Sequence, residues 1–529
     1  MAAIGCADPV ILVTRDNDDF NIPEPEYDEE GDYIWSDGAY YMSIHQVKKP
    51  LDLGWTLRKV HILDEEEAEN VNSLDEVPDS TWFTNRHAKR RLTAEELARG
   101  PGTGSPPTEP FTIVRGKELG ASAGFVGKDQ QGRLLFVKFD PRQNIGMGTN
   151  ADVIGSKFLH AAGYNVPAYY TVTIDPNTLV LSPEAKIPGK YKVKRPMTQE
   201  DLVSLLKKAP KDSDGNIIAG ASMGLPGKPK GPFKYEGVRA DDPNDTVLHD
   251  NRRELRGLGL IMAWLNNTDA RRGNTLDMYV EEEGRKFLRH YIIDFSGALG
   301  SEALGPKQVT DGHEYFIDPE IISLSTAAFG VWVKPWEVKD PEQFASVGLF
   351  ESETFEPESW RGDYANPAFE GMTSRDAFWA ATIITSFTDD EIKTIVNTGY
   401  FPDPRAGAYL ARVLGQRRDT IGRYWFDVER INPLTGFSVE RSADGTNRLR
   451  FVDLGVERGY ADKKATLYRY RINSADFLVT REAQIPLPRI LLRAKVVIET
   501  RRAPKAWGRP VSLLIDPVGG EPAVVKVSR

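Results

Sequence analysis

Fourteen residues, "WLNNTDARRGNTLD" from Trp264 to Asp277, constrain this chain more than any other stretch. Ahead of them Leu255, Leu258, Met262 and Leu265 recur at helical spacing, so a helix delivers the chain into Asn266 and Asn267. Behind them "TLDMYV" and "FLRHYIIDF" flank the charged, glycine-containing turn "EEEGRK" and read as a β-hairpin that ends in Asp294. The fourteen residues hold three amides, two acids and two arginines. Asp269 and Asn274 alone are ordinary turn formers. What they do depends on what the rest of the chain brings to them.

Upstream, "FTIVRGKELGASAGFVGKDQQGRLLFVKFD" reads as strand, glycine-containing loop, strand, turn, strand, with β-formers at Phe111 to Val114 and Leu134 to Phe139. The loop holds Gly116, Gly120 and Gly124, and such a loop lets backbone amides approach phosphate oxygens without side-chain obstruction. Glycine-containing hairpins are common, and the signal is weak by itself. Lys138 strengthens it, because a lysine amid apolar strand residues needs a partner for its charge. The next segment, "TNADVIGSKFLHAAGYNVP", carries Val153, Ile154, Phe158, Leu159 and Ala162 at helical spacing and places Asp152 near the start of a helix. "GLPGKPKG" has no Ser or Thr after Gly227-Lys228, which excludes a P-loop and leaves a hinge-like crossing.

Phosphoryl transfer needs a carboxylate to orient the attacking hydroxyl and oxygen ligands to hold magnesium against the phosphates. Asp269, four spacers and Asn274, followed by Asp294 after a short hairpin, supply these in order. Residues from about 111 to 430 resemble atypical protein-kinase-like folds. They are nearest in style to HipA-type kinases, whose catalytic loop reads N-x-D-x-H-x-x-N, and more distant from the secretory-pathway kinases. "NNTDARRGN" matches that loop with Arg271 in the histidine's place, and "DFSGALG" from Asp294 resembles a DFG segment with one residue inserted before the glycine. The resemblance implies ATP and Mg2+ as ligands. It makes Lys138 the phosphate-binding lysine and Asp152, an Asp where most relatives carry Glu, its partner. It makes Asp269 the catalytic base and Asn274 and Asp294 the magnesium ligands. Each residue has a plain alternative: Lys138 as a snorkelling edge lysine, Asp294 as a strand end.

At 529 residues the chain has room for three or so domains at about 150 residues each. The expected class is α+β: an acidic, irregular extension over 1–105, the two lobes of a kinase-like core over 106–223 and 224–430, and a β-sandwich-like domain over 431–529. The extension ends in the linker "RGPGTGSPPTEP" and has apolar patches that should dock on the body. The second lobe should be mainly helical, with a capping box from Thr388 to Glu391 and Asp403-Pro404 opening a long helix. The acid- and arginine-rich "RADDPND" and "HDNRRELR" could line the site, and their plainer reading is the solvated start of a helix. The aromatics between Ser301 and Ser374 lie where an activation and substrate-binding segment belongs, and ordinary packing is their plainer role.

A net charge of -10 argues against a nucleic-acid coat, and no apolar run is long enough to span a bilayer. One cysteine excludes an internal disulfide framework and a Cys-based zinc site, and seven scattered histidines without HExxH argue against catalytic zinc. The reading therefore expects a soluble, ATP- and magnesium-dependent phosphotransferase acting on a hydroxyl-bearing acceptor, with a protein partner for the β-domain. It is cytoplasmic as it stands, or periplasmic or lipid-anchored if a signal preceded Cys6. The competing readings are a pseudokinase scaffold acting through the β-domain and an AMP-transferring enzyme on the same residues.

Overall fold

Strand alternation builds the first layer. In the computed structural model, which describes residues 20–28, 38–49, 65–117, 122–188, 193–302, 304–329, 331–338, 343–441, 446–488 and 493–529, seven strands form one sheet in the order β4-β7-β3-β2-β1-β5-β6. They are β1 (Thr112–Gly116), β2 (Gly124–Lys128), β3 (Leu134–Phe139), β4 (Tyr169–Ile174), β5 (Val180–Pro188), β6 (Lys194–Pro196) and β7 (Ile217–Met223). All neighbours are antiparallel except β1 and β5. One face buries Ile113, Phe125, Leu135, Val137, Phe139, Ile217 and Ala219 beneath Leu202 of the helix Gln199–Leu206. The other face meets the helix Met147–Ala162. Mixed α+β architecture follows from these two coverings.

The helix Arg253–Leu265 is buried along its whole length, with the helices Pro367–Glu370, Ser374–Ile384 and Pro404–Trp425 around it. Its apolar face explains the helical spacing of Leu255, Leu258, Met262 and Leu265. The expected caps are present. Thr388 and Glu391 exchange capping bonds, and Asp403 accepts from Arg405 N–H ahead of Pro404. The hairpin joins β9 (Thr275–Glu282) to β10 (Arg285–Ile292), and "GLPGKPKG" contributes the two-residue strand β8 (Lys228–Pro229) to the edge of β9.

The C-terminal strands form a three-stranded and a five-stranded sheet, and Leu449, Phe451 and Ile485 of the first share a core with Tyr468, Val496, Ile498 and Leu513 of the second. Two sheets packed face to face on alternating residues are the sandwich arrangement.

Two expectations need correction. The extension is less irregular than its composition indicates: the helix Ala94–Arg99 opens with a full capping box, and His45–Lys48 is also helical. It is fastened to the body, with Trp82 stacked on His290 at 3.5 Å between centroids and Phe83 paired with Tyr164. Arg133 donates to the carbonyls of Ser105 and Pro106, so the described glycine- and proline-rich stretch lies on the sheet layer. Cys6 lies outside the described residues.

The second correction concerns "HDNRRELR", which is core and not a solvated helix start. Arg252, Arg253, Glu254 and Arg256 are all at most 2 % exposed. Arg253 pairs with Asp75 at 2.7 Å and Asp376 at 3.0 Å, Arg256 reaches Asp376 at 3.4 Å, and Arg252 lies 4.5 Å over the ring of Trp82. Asp376 also accepts from its own cap residue, Thr373 N–H, at 3.0 Å. Asp376→Ala is expected to destabilise the fold by about 3–5 kcal/mol in urea denaturation, because two buried guanidinium groups lose a shared counter-ion.

Among the described residues no helix is long and apolar enough to cross a membrane. The helix Pro319–Ala327 and its flanks leave Phe316, Ile322, Phe329 and Val331 exposed, while Trp336 stacks on His313. The aromatics of this segment are thus divided between packing and surface.

Candidate active site

β3 turns Leu135, Val137 and Phe139 into the sheet core and leaves Leu134, Phe136 and Lys138 on the opposite face. Lys138 is thereby aimed at the helix Met147–Ala162, where its cross-strand neighbour Gly220 already lies against Thr149. Asp140 orients that helix: its carboxylate accepts from Gly146 N–H at 2.9 Å, Thr149 N–H at 2.8 Å and Thr149 Oγ1 at 2.8 Å. Amides at the start of the helix are thus satisfied by the residue that directly follows β3.

Asp152 lies in the second turn of this helix and not at its start. Lys138 Nζ bridges Asp152 Oδ2 at 3.3 Å and Asp294 Oδ1 at 2.6 Å. The second oxygen of Asp152 accepts from Phe295 N–H at 2.8 Å. A Cβ added to Gly155, one turn further along, would come within 3.1 Å of the Phe295 Cβ. The helix and the segment after β10 are that close, and a short Asp suffices where a Glu would otherwise be needed.

Burial pushes the Asp152 carboxyl up to about 6, offset in part by Lys138. Burial also opposes the charge on Lys138, but Asp152 and then Asp294 outweigh it and hold the ammonium well above its ordinary range. Asp294 is raised by burial and lowered more by Lys138 and Ser296, and it stays well below the usual carboxylate range. Its backbone is left-handed at φ 60°, a conformation non-glycine residues rarely adopt, and its N–H donates to Tyr169 Oη at 3.1 Å.

The polar loop is anchored from both ends. At the helix terminus Asn266 is left-handed at φ 49°, a cap position that Asn tolerates, and the buried Arg417 donates to the carbonyls of Ala263 at 2.6 Å and Trp264 at 3.1 Å. Burial draws the Arg417 guanidinium down to about 9, with Glu351 acting against it. At the hairpin end Thr275 pairs with Ile292, and Ile293 N–H donates to the Asn274 carbonyl at 2.9 Å. Closing the hairpin therefore places Asn274 beside Ile293 and Asp294.

Within the loop, Arg271 Nε donates to Asp269 Oδ1 at 2.6 Å, and Asn274 Nδ2 donates to Asp269 Oδ2 at 3.0 Å and to the Asp269 carbonyl at 2.6 Å. Burial raises the Asp269 carboxyl, with Arg271 acting against it and Asp294 and Glu302 adding to it. Gly297 completes the contact: a Cβ there would lie 3.3 Å from the Asp269 Cβ. The glycine of "DFSG" thus lets the Asp294 segment lie against the Asp269 loop.

The structure brings together Lys138, Asp152, Asp294, Asn274 and Asp269. Gly116 and Gly124 are strand residues, the last of β1 and the first of β2, and not loop residues; Gly120 lies outside the described residues. Among the described residues no group of three or more His, Cys, Asp or Glu side chains forms a ready-made metal cage. With Nδ2 of Asn274 committed to Asp269, its Oδ1 and the carboxylate of Asp294 are hard oxygen donors of the kind magnesium takes together with phosphate oxygens.

Sequence reasoning missed several neighbours. Arg271 is the partner of Asp269, a signal available from their spacing. Lys307, 3 % exposed, donates to Thr268 Oγ1 at 2.7 Å and to Glu302, and Asp363 N–H donates to the Thr268 carbonyl at 2.9 Å. Burial lifts the Asp363 carboxyl to about 6. Arg272 is held by Asp28 of the extension at 2.6 Å. No local pattern marks these.

No protein-family model matches the chain, and no curated protein does. Among solved structures it is similar to the Helicobacter pylori proinflammatory kinase CtkA, at 12 % identity and TM-score 0.29 over 60 % of this chain and 97 % of that one. It is also similar to the Golgi casein kinase, at 10 % identity and TM-score 0.26 over 79 % and 94 %, and to that kinase with Mn/ADP bound, at 9 % and 0.26 over 81 % and 97 %. Likenesses this distant decide nothing about chemistry, which rests on the side chains above.

Proposed function

We propose that this chain is a kinase-type phosphotransferase that moves the γ-phosphoryl group of ATP to a hydroxyl acceptor with the help of Mg2+. The observation that carries the reading is Lys138, held by carboxylates from two separate elements, a helix and the segment after a hairpin, within reach of the Asp269 loop. An ion pair at a strand needs only one acid; a lysine clamped between two, one of them 38 % exposed, is positioned for a ligand. Phe136, two residues before Lys138 on the same face and 39 % exposed, offers apolar surface for the base.

In this reading the sheet layer and the helical body are two lobes around the nucleotide. Lys138 binds the phosphates, as a strand lysine does in kinases. Asp294 and Asn274 would hold the magnesium ion, whose charge offsets that of the phosphate oxygens. Asp269 accepts the acceptor's proton, and its raised pKa makes it a better base near neutral pH than an exposed Asp. Asn274 and Arg271 fix the orientation of its carboxylate. The guanidinium of Arg271, beside Asp269, would also offset negative charge that gathers during transfer.

The test uses ATP labelled at the γ-phosphate and, separately, at the α-phosphate, incubated with a cell extract, wild-type protein or Asp269→Asn. Label transferred from the γ position by the wild type and lost in the variant is the expected outcome. Transfer of the α label instead would establish AMP transfer, and transfer of neither would leave a scaffold.

A further inference from the structure

We infer that Lys117 is a second phosphate-binding lysine, paired across the sheet with Lys138 and specific for the polyphosphate of the nucleotide. This inference rests on the nucleotide reading above. Three residues carry it by their register. Lys117 N–H donates to the Gly124 carbonyl at 3.2 Å, directly beyond the pair Gly116↔Phe125, and Gly124 in turn pairs with Lys138. Residues opposite one another on antiparallel strands share a face. Lys117 and Lys138 therefore flank Gly124 on one side of the sheet, separated by two strand spacings of about 4.8 Å each.

Gly124 keeps the space between them free of side chain. A Cβ there would lie 2.0 Å from the Val137 carbonyl oxygen, so no other residue fits. The two lysines thus stand on one face of the sheet with only backbone between them.

The charges agree. Asp152 and Asp294 are both engaged by Lys138. Lys117 is largely withdrawn from water, yet among the described residues its ammonium contacts only the Ser122 hydroxyl, at 3.4 Å, and no carboxylate lies within ion-pair distance. Burial and then the neighbouring Lys138 lower its pKa, with Asp294 and Asp152 acting in the opposite direction. A desolvated cation on the same face as a second cation is stabilised by an anion between them.

The test is calorimetric titration of the full chain, wild type, Lys117→Met and Lys117→Arg, with ATP, ADP, AMP and adenosine in magnesium, beside melting curves without nucleotide. Loss of one charge-assisted contact should weaken ATP roughly ten- to hundredfold in Lys117→Met, leave adenosine unchanged, and be largely restored in Lys117→Arg. The melting temperature of empty Lys117→Met should match or exceed that of the wild type. A Lys117→Met protein that binds ATP as tightly as the wild type, or one that loses adenosine equally, overturns the assignment while the nucleotide site stands. A melting point that falls sharply overturns it too, since Lys117 would then be a structural ion partner. A wild type that binds no nucleotide overturns the nucleotide reading and this inference with it.

Discussion

Lys138→Met is expected to abolish the proposed phosphoryl transfer and to destabilise the protein by about 3 kcal/mol, the low end for breaking a buried pair, because Asp294 keeps 38 % of its side chain exposed. The variant leaves Asp152, 1 % exposed, facing Asp294 with no cation between them. The sign of the pH dependence follows. Asp152 already titrates at about 6 with Lys138 present, and removing the ammonium raises it further. Acidification protonates this carboxyl and relieves the repulsion, so the stability gap between variant and wild type is widest above the variant's own, further raised Asp152 pKa and narrows as pH falls from there towards 6. Urea denaturation of both proteins at pH 5 and pH 8 measures the gap. Adding Asp152→Asn should recover most of the lost stability and none of the activity. A pH-independent gap would mean that Lys138 only fills space.

Asp269→Asn is expected to lower kcat by about 10²- to 10⁴-fold, the usual contribution of the general base proposed here, while ATP affinity is retained. The amide is isosteric: its one oxygen can still accept from Arg271, and Asn274 still donates to the backbone carbonyl of residue 269, so the loop keeps two of its three bonds. In the wild type, burial lifts the Asp269 carboxyl above the ordinary range, and the base works only when deprotonated. The rate should therefore fall as pH is lowered through a value higher than that of an exposed Asp, and the residual rate of the variant should lack this limb. Rate profiles of the two proteins with a common acceptor check both points. Equal rates would remove Asp269 from the chemistry and leave it as a loop fastener.

Much of the candidate site was legible because its relations are local. Asn274 and Asp294 flank a hairpin, and once "EEEGRK" is read as its turn, closing the strands brings the two together whatever the rest of the chain does. The alternation of Leu135, Val137 and Phe139 places Lys138 on the opposite face, and helical spacing places Asp152 on the next element. Each of these steps needs only a period and a turn.

What the tertiary structure decided lies between residues far apart in the chain. Arg417 holds the carbonyls of Ala263 and Trp264 from more than 150 positions away, Arg253 finds Asp376 across 123, and Asp28 reaches Arg272 across 244. In the sequence "HDNRRELR" looks like a solvated surface, since a charged residue costs least in water; in the fold it is core, because each buried guanidinium meets its acid or its ring. Lys307 beneath Thr268 is the same case. Periodicity reports which way a side chain points, and that the sequence alone determines here. Whether a polar side chain can be buried depends on a partner supplied by another element, and only the tertiary structure identifies it.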